Sequence, residues 1–481
     1  MKTFKLLIWF STFSTVVLVA TLPGLAQHDW TKQITEFKAM VVNIESATEV
    51  FLEREEQSVG YATGFIVDAE RGIIATNAHV TGISPSYVKI NFFDGSFTEA
   101  QTLYYDPVHD FGFFKIDPQS VPPGLQEVKL GSWKKIKVGD EVLMIGNNEK
   151  EEYSIKFGAI ANLNVNKGER YTSYIHTTFD RAGGSSGSPV WDTAGKVVGI
   201  HASGNETSSF ELPVEYLADA LTKIQNKILI KRGGIGIDLH LISTGEAVRH
   251  FSFPEALLDK YNDLENGVPK VIQVETVIPQ SMAMNTFKAG DILYSLNNRI
   301  LKDDLYLFDR MLNDHVGETV SVKIYRNGEL KTANVTVEDL EATKLRRFVR
   351  FGGGIFHDIR PKMRWYHGYD GKGVYLPYSD LGSSFSRIGY RNDENGKMAI
   401  IISEVNGETI HNLDDFLKIC SNLEDGMHTY VLRHDLNLYN QSLTPVNLSL
   451  NLKYGPLELF EWNPDTLEWE KTAYPVVRAS K

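Results

Sequence analysis

Hydrophobic positions along this chain come mostly in short runs rather than long helical stripes. Ala62 to Val67 reads as one strand, Glu70-Arg71-Gly72 as a turn, and Ile73 to Thr76 as a second strand. Tyr87 to Phe93 and Ser96 to Leu103 flank an Asp94-Gly95 turn, and Phe111 to Ile116 is again apolar and aromatic. Pro189-Val190-Trp191 and Lys196 to His201 flank Thr193-Ala194-Gly195. Short apolar runs bounded by Gly and Asp turns predict strands, and so many of them predict an all-β barrel domain. Helical spacing appears at Ala218 to Lys227, Leu305 to Leu312 and Leu413 to Leu423.

Beyond residue 225 the texture changes. Lys231-Arg232-Gly233-Gly234-Ile235-Gly236-Ile237 precedes a strand at Val271 to Val277. Phe287-Lys288-Ala289-Gly290-Asp291-Ile292-Leu293 then reads as turn and strand. The Leu305 helix follows, and a hairpin of Val320 to Tyr325 and Glu329 to Val337 turns at Asn327-Gly328. The order strand, strand, turn, helix recurs loosely at Gly373 to Leu376, Ile400 to Val405, Asn406 to Ile410 and Leu413 to Leu423. This second copy lacks the Lys-Ala-Gly-Asp segment, so packing or assembly is expected of it rather than peptide capture. Arg346 to Gly354 is basic and aromatic, a pattern expected at a domain interface in so acidic a chain. The tail from Pro456 carries Phe460, Trp462 and Trp469, too aromatic for a disordered linker. These shifts divide the chain into 1–26, 27–227, 228–342, 343–455 and a tail over 456–481.

Candidate chemistry concentrates in the first of the folded segments. Gly183-Gly184-Ser185-Ser186-Gly187-Ser188-Pro189 is a small-residue turn that lets a serine hydroxyl stand clear of the backbone. Upstream lie Ala75-Thr76-Asn77-Ala78-His79-Val80 and Asp106-Pro107-Val108-His109-Asp110-Phe111-Gly112. The order His79, Asp110, Ser186 is the order of chymotrypsin-type serine proteases. A serine needs a base to become nucleophilic, and neutral imidazole suits that task near pH 7. A carboxylate accepting the other ring N–H fixes the tautomer and stabilises the imidazolium. Ser186 is therefore the expected nucleophile, His79 the general base and then acid, and Asp110 the orienting carboxylate. The oxyanion would be held by N–H groups of Gly184 and Ser186, with Ser185 between them. Asp106-Pro107 reads as a turn opener, and His109 and His201 as structural histidines.

These motifs resemble those of the HtrA (Deg) family of trypsin-like serine proteases. Thr76-Asn77-Ala78-His79-Val80 looks like the family's Thr-Asn-x-His-Val. Asp106 to Lys115 looks like its Asp-x-x-x-Asp-hydrophobic segment. Val138-Gly139-Asp140-Glu141-Val142 with Ile145-Gly146-Asn147 looks like a family strand and loop. Gly184-Ser185-Ser186-Gly187-Ser188-Pro189 departs from the commoner Gly-Asn-Ser-Gly-Gly. It is closer to the variant of fungal nuclear and some bacterial relatives, in which the serine at the Ser186 position is the nucleophile. The resemblance implies a mainly β fold, with a chymotrypsin-like double β-barrel followed by one clear and one divergent PDZ-like α+β domain. It further implies that Gly234, Ile235, Gly236 and Ile237 present N–H groups to the C-terminal carboxylate of a peptide that adds a strand. A homotrimer or larger multiple is implied as well. Asp180, six residues before Ser186, matches the spacing of the acid in a trypsin-like specificity pocket for Lys or Arg. HtrA relatives usually lack that acid and cut after small aliphatic residues. The competing role for Asp180, beside Arg181, is a surface ion pair or turn.

Composition narrows the picture. The 481 residues exceed a single core, so two to four domains are expected. Net charge is −12, or −14 without residues 1–26, whose only charges are Lys2 and Lys5. That balance argues against a general nucleic-acid or anionic-membrane binder. Lys2 and Lys5 precede an apolar run from Leu6 to about Leu22, and Gly24 and Ala26 suit cleavage before Gln27. A signal peptide and a periplasmic or secreted location are expected, with an uncleaved membrane anchor as the rival. Cys420 is the only cysteine, which rules out an intramolecular disulfide, and it falls in an expected buried helix. No metal or organic cofactor is implied. The expected function is ATP-independent endoproteolysis of misfolded or damaged proteins, regulated by PDZ-bound peptides. The alternative is a proteolytically weak chaperone or peptide-binding adaptor on the same scaffold.

Overall fold

The computed structural model describes residues 28–52, 59–148, 151–167, 171–180, 183–205, 208–261, 268–361, 363, 368–369, 371–388, 399–436 and 441–475. The expected signal peptide over 1–26 and Arg181 lie outside the described residues.

Two closed six-stranded barrels come first. Around the first run Val41–Thr48, Val59–Asp68, Ile73–Thr76, Gly112–Lys115, Phe97–Tyr105 and Ser86–Asn91. Around the second run Pro189–Asp192, Val197–Gly204, Ser209–Pro213, Tyr174–Thr177, Glu151–Val165 and Glu141–Asn148. Their apolar runs are continuous because both faces of the strands are covered. Val42, Ile74 and Phe114 fill the first barrel, while their chain neighbours Val41, Ile73 and Phe113 face a core shared by the two barrels. Likewise Val142 and Val198 fill the second barrel, and Leu143 and Val197 face the shared core. The two-residue period of a strand makes this division automatic. Gly72 turns the first barrel's hairpin at φ 62°, where a Cβ would stand 2.6 Å from the Ile116 carbonyl oxygen. Helix Thr31–Met40 stacks Phe37 on Trp191 at 4.7 Å. Helix Val214–Gln225 buries Tyr216, Leu217 and Leu221 in the shared core.

The second unit is a sheet ordered Ile237–Ser243, Lys270–Val277, Ile292–Leu296, Thr319–Arg326 and Glu329–Thr336, so Ile237–Ser243 is an edge strand. Asn327 and Gly328 both take positive φ, as the expected two-residue hairpin turn requires. Helix Leu305–Asp314 starts at Asp304, whose carboxylate accepts the Leu307 N–H at 2.8 Å.

The third unit repeats this order, from Gly354–Asp358 through Val374–Ser379, Ala399–Val405 and His428–Leu436 to Gln441–Ser449. Its helix Leu413–Cys420 stands between the same pair of strands as Leu305–Asp314 does in the second unit. The repeat therefore begins at Gly354, earlier than the Gly373 read from the sequence. Cys420 is buried, and burial pushes its thiol well above the usual range. The segment from Pro456 is not a separate tail. Glu458–Asn463 pairs onto Arg347–Phe351 and Glu468–Ala473 onto Glu458–Asn463, extending the same sheet. The reason is aromatic burial: Phe460 stacks on Phe348 at 4.6 Å, and the Trp469 ring meets Phe348 at 5.0 Å. Phe348 also joins Leu52, Val50 and Ile83 of the first unit, so the basic and aromatic run lies at a domain interface. Its Arg347 is bound by Asp358 and Asp414, and its Arg350 by Asp380.

Candidate active site

Strand Ile73–Thr76 delivers a single helical turn, Ala78–Thr81, that carries His79. Asp110 sits on the turn before strand Gly112–Lys115. Its carboxylate grips His79 twice. Oδ2 and Oδ1 lie 2.8 and 3.0 Å from Nδ1, and Oδ1 also accepts the His79 backbone N–H at 3.0 Å. A carboxylate cannot donate when ionised, so Nδ1 carries the proton and Nε2 is the basic nitrogen. Asn77 Nδ2 donates to the Asp110 carbonyl oxygen at 2.9 Å, fixing the other end of the residue.

Ser186 comes from the second barrel on a turn that two glycines shape. Gly184 has φ 88° and Gly187 φ 85°. A Cβ would stand 2.4 Å from the Asn147 carbonyl oxygen at the first and 2.1 Å from that of Thr63 at the second. Thr63, in the first barrel, clamps this turn. Its N–H donates to the Ser186 carbonyl at 2.9 Å and its hydroxyl to the Gly184 carbonyl at 3.0 Å. The same hydroxyl accepts the Asn147 N–H at 2.8 Å, and Thr76 Oγ1 donates to the Thr63 carbonyl at 2.7 Å. Among the described residues, the N–H groups of Gly184 and Ser186 have no hydrogen-bond partner. Thr63 was read only as part of a strand. Its signal is a hydroxyl inside an apolar run, which on burial must find partners.

The glycine loop of the second unit also forms a concave site. A cavity of about 240 Å³ is lined by Gly234, Gly236 and Ile237 together with Ile278, Ser281 and Tyr171. Gly236 has φ 74°, and a Cβ there would meet the Ser281 Cβ at 2.1 Å. Ile235 does not line this cavity; its side chain, like that of Ile237, joins the hydrophobic core of the domain.

A trypsin-like peptidase domain model matches residues 62–200, a PDZ domain model 233–337 and a PDZ-like domain model 342–426. The pro-apoptotic serine protease NMA111 of Yarrowia lipolytica is 31% identical over 465 residues, 93% of this chain and 46% of that protein. Its namesake in Scheffersomyces stipitis is 31% identical over 435 residues, 88% of this chain and 43% of the relative. The matched models give this chain a trypsin-like peptidase domain followed by a PDZ and a PDZ-like domain, and the relatives it is similar to are named serine proteases. The chain spans a little under half the length of these curated relatives. Among solved structures, the HtrA-type protease AlgW with tripeptide covers 64% of this chain at 22% identity and a TM-score of 0.49.

Other residues singled out from the sequence lie away from the His79–Asp110 pair and the serine turn. Asp180 does not line a specificity pocket: its side chain is 71% exposed and pairs with Lys156 at 2.9 Å, whose hydrogen bond lowers the carboxyl pKa. Phe179 fills the barrel core, so the next residue must point outward. His201 is buried, with Nδ1 3.0 Å from Glu211 Oε2, and its backbone braces Gly187 and Ser188. Asp106 opens the turn as expected, accepting the N–H groups of Val108 and His109 at 2.9 and 2.8 Å. It also binds Arg232 Nε at 2.5 Å. Burial alone would raise the Asp106 carboxyl, yet Arg232 and His109 hold it at about 2. Arg232, Tyr171 and Asp309 were given no role from the sequence, and all three lie where the protease and first PDZ domains meet. The Tyr171 hydroxyl donates to the Gly233 carbonyl at 2.5 Å.

Proposed function

We propose that this chain is an exported, ATP-independent serine endopeptidase that degrades misfolded or damaged polypeptides and is regulated by peptide C-termini bound at its first PDZ domain. Ser186 attacks the scissile carbonyl while His79 Nε2 takes its proton and later returns it to the leaving amine. Asp110 holds the imidazole in one tautomer and stabilises its charged form. The N–H groups of Gly184 and Ser186, flanking Ser185, receive the oxyanion. The observation that carries this reading is the double grip of Asp110 on His79, with Nδ1 at 2.8 Å. The unpartnered N–H groups on the serine turn support the oxyanion assignment.

Peptide capture would use the cavity at Gly234, Gly236 and Ile237 and the edge strand Ile237–Ser243, whose outer backbone groups can pair with an added strand. Assembly as a homotrimer or larger multiple is proposed from the family resemblance. Export rests on Lys2, Lys5 and the apolar run that follows, and mass analysis of the mature N-terminus tests cleavage before Gln27.

The reading predicts that the protein cleaves unfolded casein without nucleotide and that Ser186→Ala abolishes cleavage. Casein bound but never cut by the folded wild type, with and without hydrophobic C-terminal peptides, would contradict it and favour the adaptor.

A further inference from the structure

The turn that carries Asp110 is completed by the first PDZ domain. His109, next to Asp110, is fully buried at its side chain and packs its ring on Tyr216 at 4.0 Å. Nδ1 lies 2.9 Å from the Thr172 hydroxyl. Nε2 lies 3.1 Å from Oδ1 of Asp309, which is 200 residues away on the PDZ helix Leu305–Asp314 and 2% exposed at its side chain. The carboxylate's second oxygen accepts from Asn313 Nδ2 at 2.9 Å, and Asn313 Oδ1 accepts the Gly233 N–H at 2.8 Å. Gly233 adjoins the glycine loop and follows Arg232, which binds Asp106 at the start of the catalytic turn. Both ends of the turn are thus held by buried charged groups lying beyond the protease barrels.

We propose that Asp309 is a positioning residue of the active site. Through His109 it sets the backbone of Asp110, and so the geometry of the Asp110–His79 pair. This rests on the assignment of Asp110 and His79 given above. Three features support it. An acceptor-only carboxylate fixes the proton on His109 Nε2, while the Thr172 hydroxyl can serve Nδ1 as donor or acceptor. The pair is buried, so loss of one partner strands the other and forces the turn to move. A general base tolerates little displacement: a shift of about 1 Å can cost on the order of 100-fold in rate. Asp309 also shares one carboxylate between the catalytic turn and Gly233, placing the proposed peptide loop and Asp110 on a single set of hydrogen bonds.

The test uses the full chain with Asp309→Leu, Asp309→Asn and, as an interface control, Glu341→Gln. Glu341 accepts from the Tyr104 hydroxyl at 2.7 Å across the same boundary and pairs with Lys344 three residues along its own segment. Two readouts are needed: kcat against KM for a casein-derived peptide, and the low-field proton resonance of His79 Nδ1–H, assigned by its absence from His79→Ala. Asp309→Leu should lower kcat by roughly 10- to 100-fold with KM within about two-fold, and should shift or broaden the resonance. Asp309→Asn keeps an acceptor oxygen and should show a smaller change in the same direction; it carries the test if the leucine variant does not fold. Glu341→Gln should leave both readouts unchanged. An unmoved resonance with kcat within two-fold in a folded Asp309 variant would overturn the proposal. An equal loss in Glu341→Gln would overturn it too, by showing a general effect of domain docking. If Ser186 itself proves unreactive in the wild type, the protease reading fails, and the resonance still reports whether Asp309 positions the Asp110–His79 pair.

Discussion

The two PDZ domains share one order of strands and treat its outer edge in opposite ways. In the first, Ile237–Ser243 is the edge of its sheet and lies beside the Gly234–Ile237 cavity. In the second, the corresponding strand Gly354–Asp358 is paired with the chain's own Arg347–Phe351, and two further strands from the C-terminal hairpin follow. An open edge can take a peptide by strand addition, whereas a filled edge cannot. The attachments to the protease differ as well. Buried side-chain pairs, Arg232–Asp106 and His109–Asp309, tie the first PDZ domain to the turn that carries Asp110. The second is attached through the aromatic Phe348 packed with Leu52, and through His357 Nε2, which lies 2.6 Å from the Leu52 carbonyl oxygen. Within one fold, an open edge coincides with buried side-chain pairs at the turn that carries Asp110, and a filled edge with a largely aromatic anchor.

The effect that bears most directly on this difference should come from blocking the loop beside the open edge. Gly236→Val forces a β-branched residue to φ 74° and into Ser281. Hydrophobic C-terminal peptides should then bind the full chain about 100-fold more weakly in fluorescence anisotropy, matching about 3 kcal/mol of strain. Unchanged affinity would place peptide capture elsewhere and erase the distinction between the domains. Next is the aromatic anchor. Phe348 is completely buried, so Phe348→Ala should cost about 3–5 kcal/mol in urea unfolding while peptide affinity stays the same. A parallel loss of peptide binding would mean that the two domains are not separable.

The polar link should be sensitive to acid and the aromatic anchor should not. The Asp106 carboxyl is at about 2 in the folded protein against 3.8 when unperturbed. A depressed value stabilises the fold above the unfolded pKa and is lost as pH falls through the folded one. The contribution, about 2 kcal/mol, should therefore be complete above about pH 4 and fade toward pH 2. Unfolding midpoints of the wild type and Asp106→Asn should converge over that range, and a constant gap would remove Asp106 from the link. The smallest effect is expected at the half-exposed Arg350–Asp380 pair of the second PDZ domain, where Arg350→Ala should cost less than about 1 kcal/mol in the same unfolding assay.

Much of this was legible locally. Short apolar runs with Gly turns mark the barrel strands, and the motifs around His79 and Asp110 single out two residues that the fold brings into contact. Contacts distant in sequence were not legible. His109 looked structural because nothing near it in the chain indicates a carboxylate 200 residues away. Asp180 was misleading because spacing from Ser186 carries no information on which face Phe179 takes. The second repeat was read as starting at Gly373 because the run Gly352-Gly353-Gly354 does not look like the Gly-Ile-Gly of the first copy. The aromatic C-terminal segment was correctly seen as unlike a linker, but its partner, Phe348, lies more than a hundred residues upstream in the chain.

The most direct test of the central claim is labelling with a fluorophosphonate probe, with the modified residue mapped by mass spectrometry in the wild type, Ser186→Ala and His79→Ala. The account predicts a single modified serine, Ser186, in the wild type and no labelling in either variant. Labelling that persists in His79→Ala at the wild-type rate, or that maps to another serine, would contradict it.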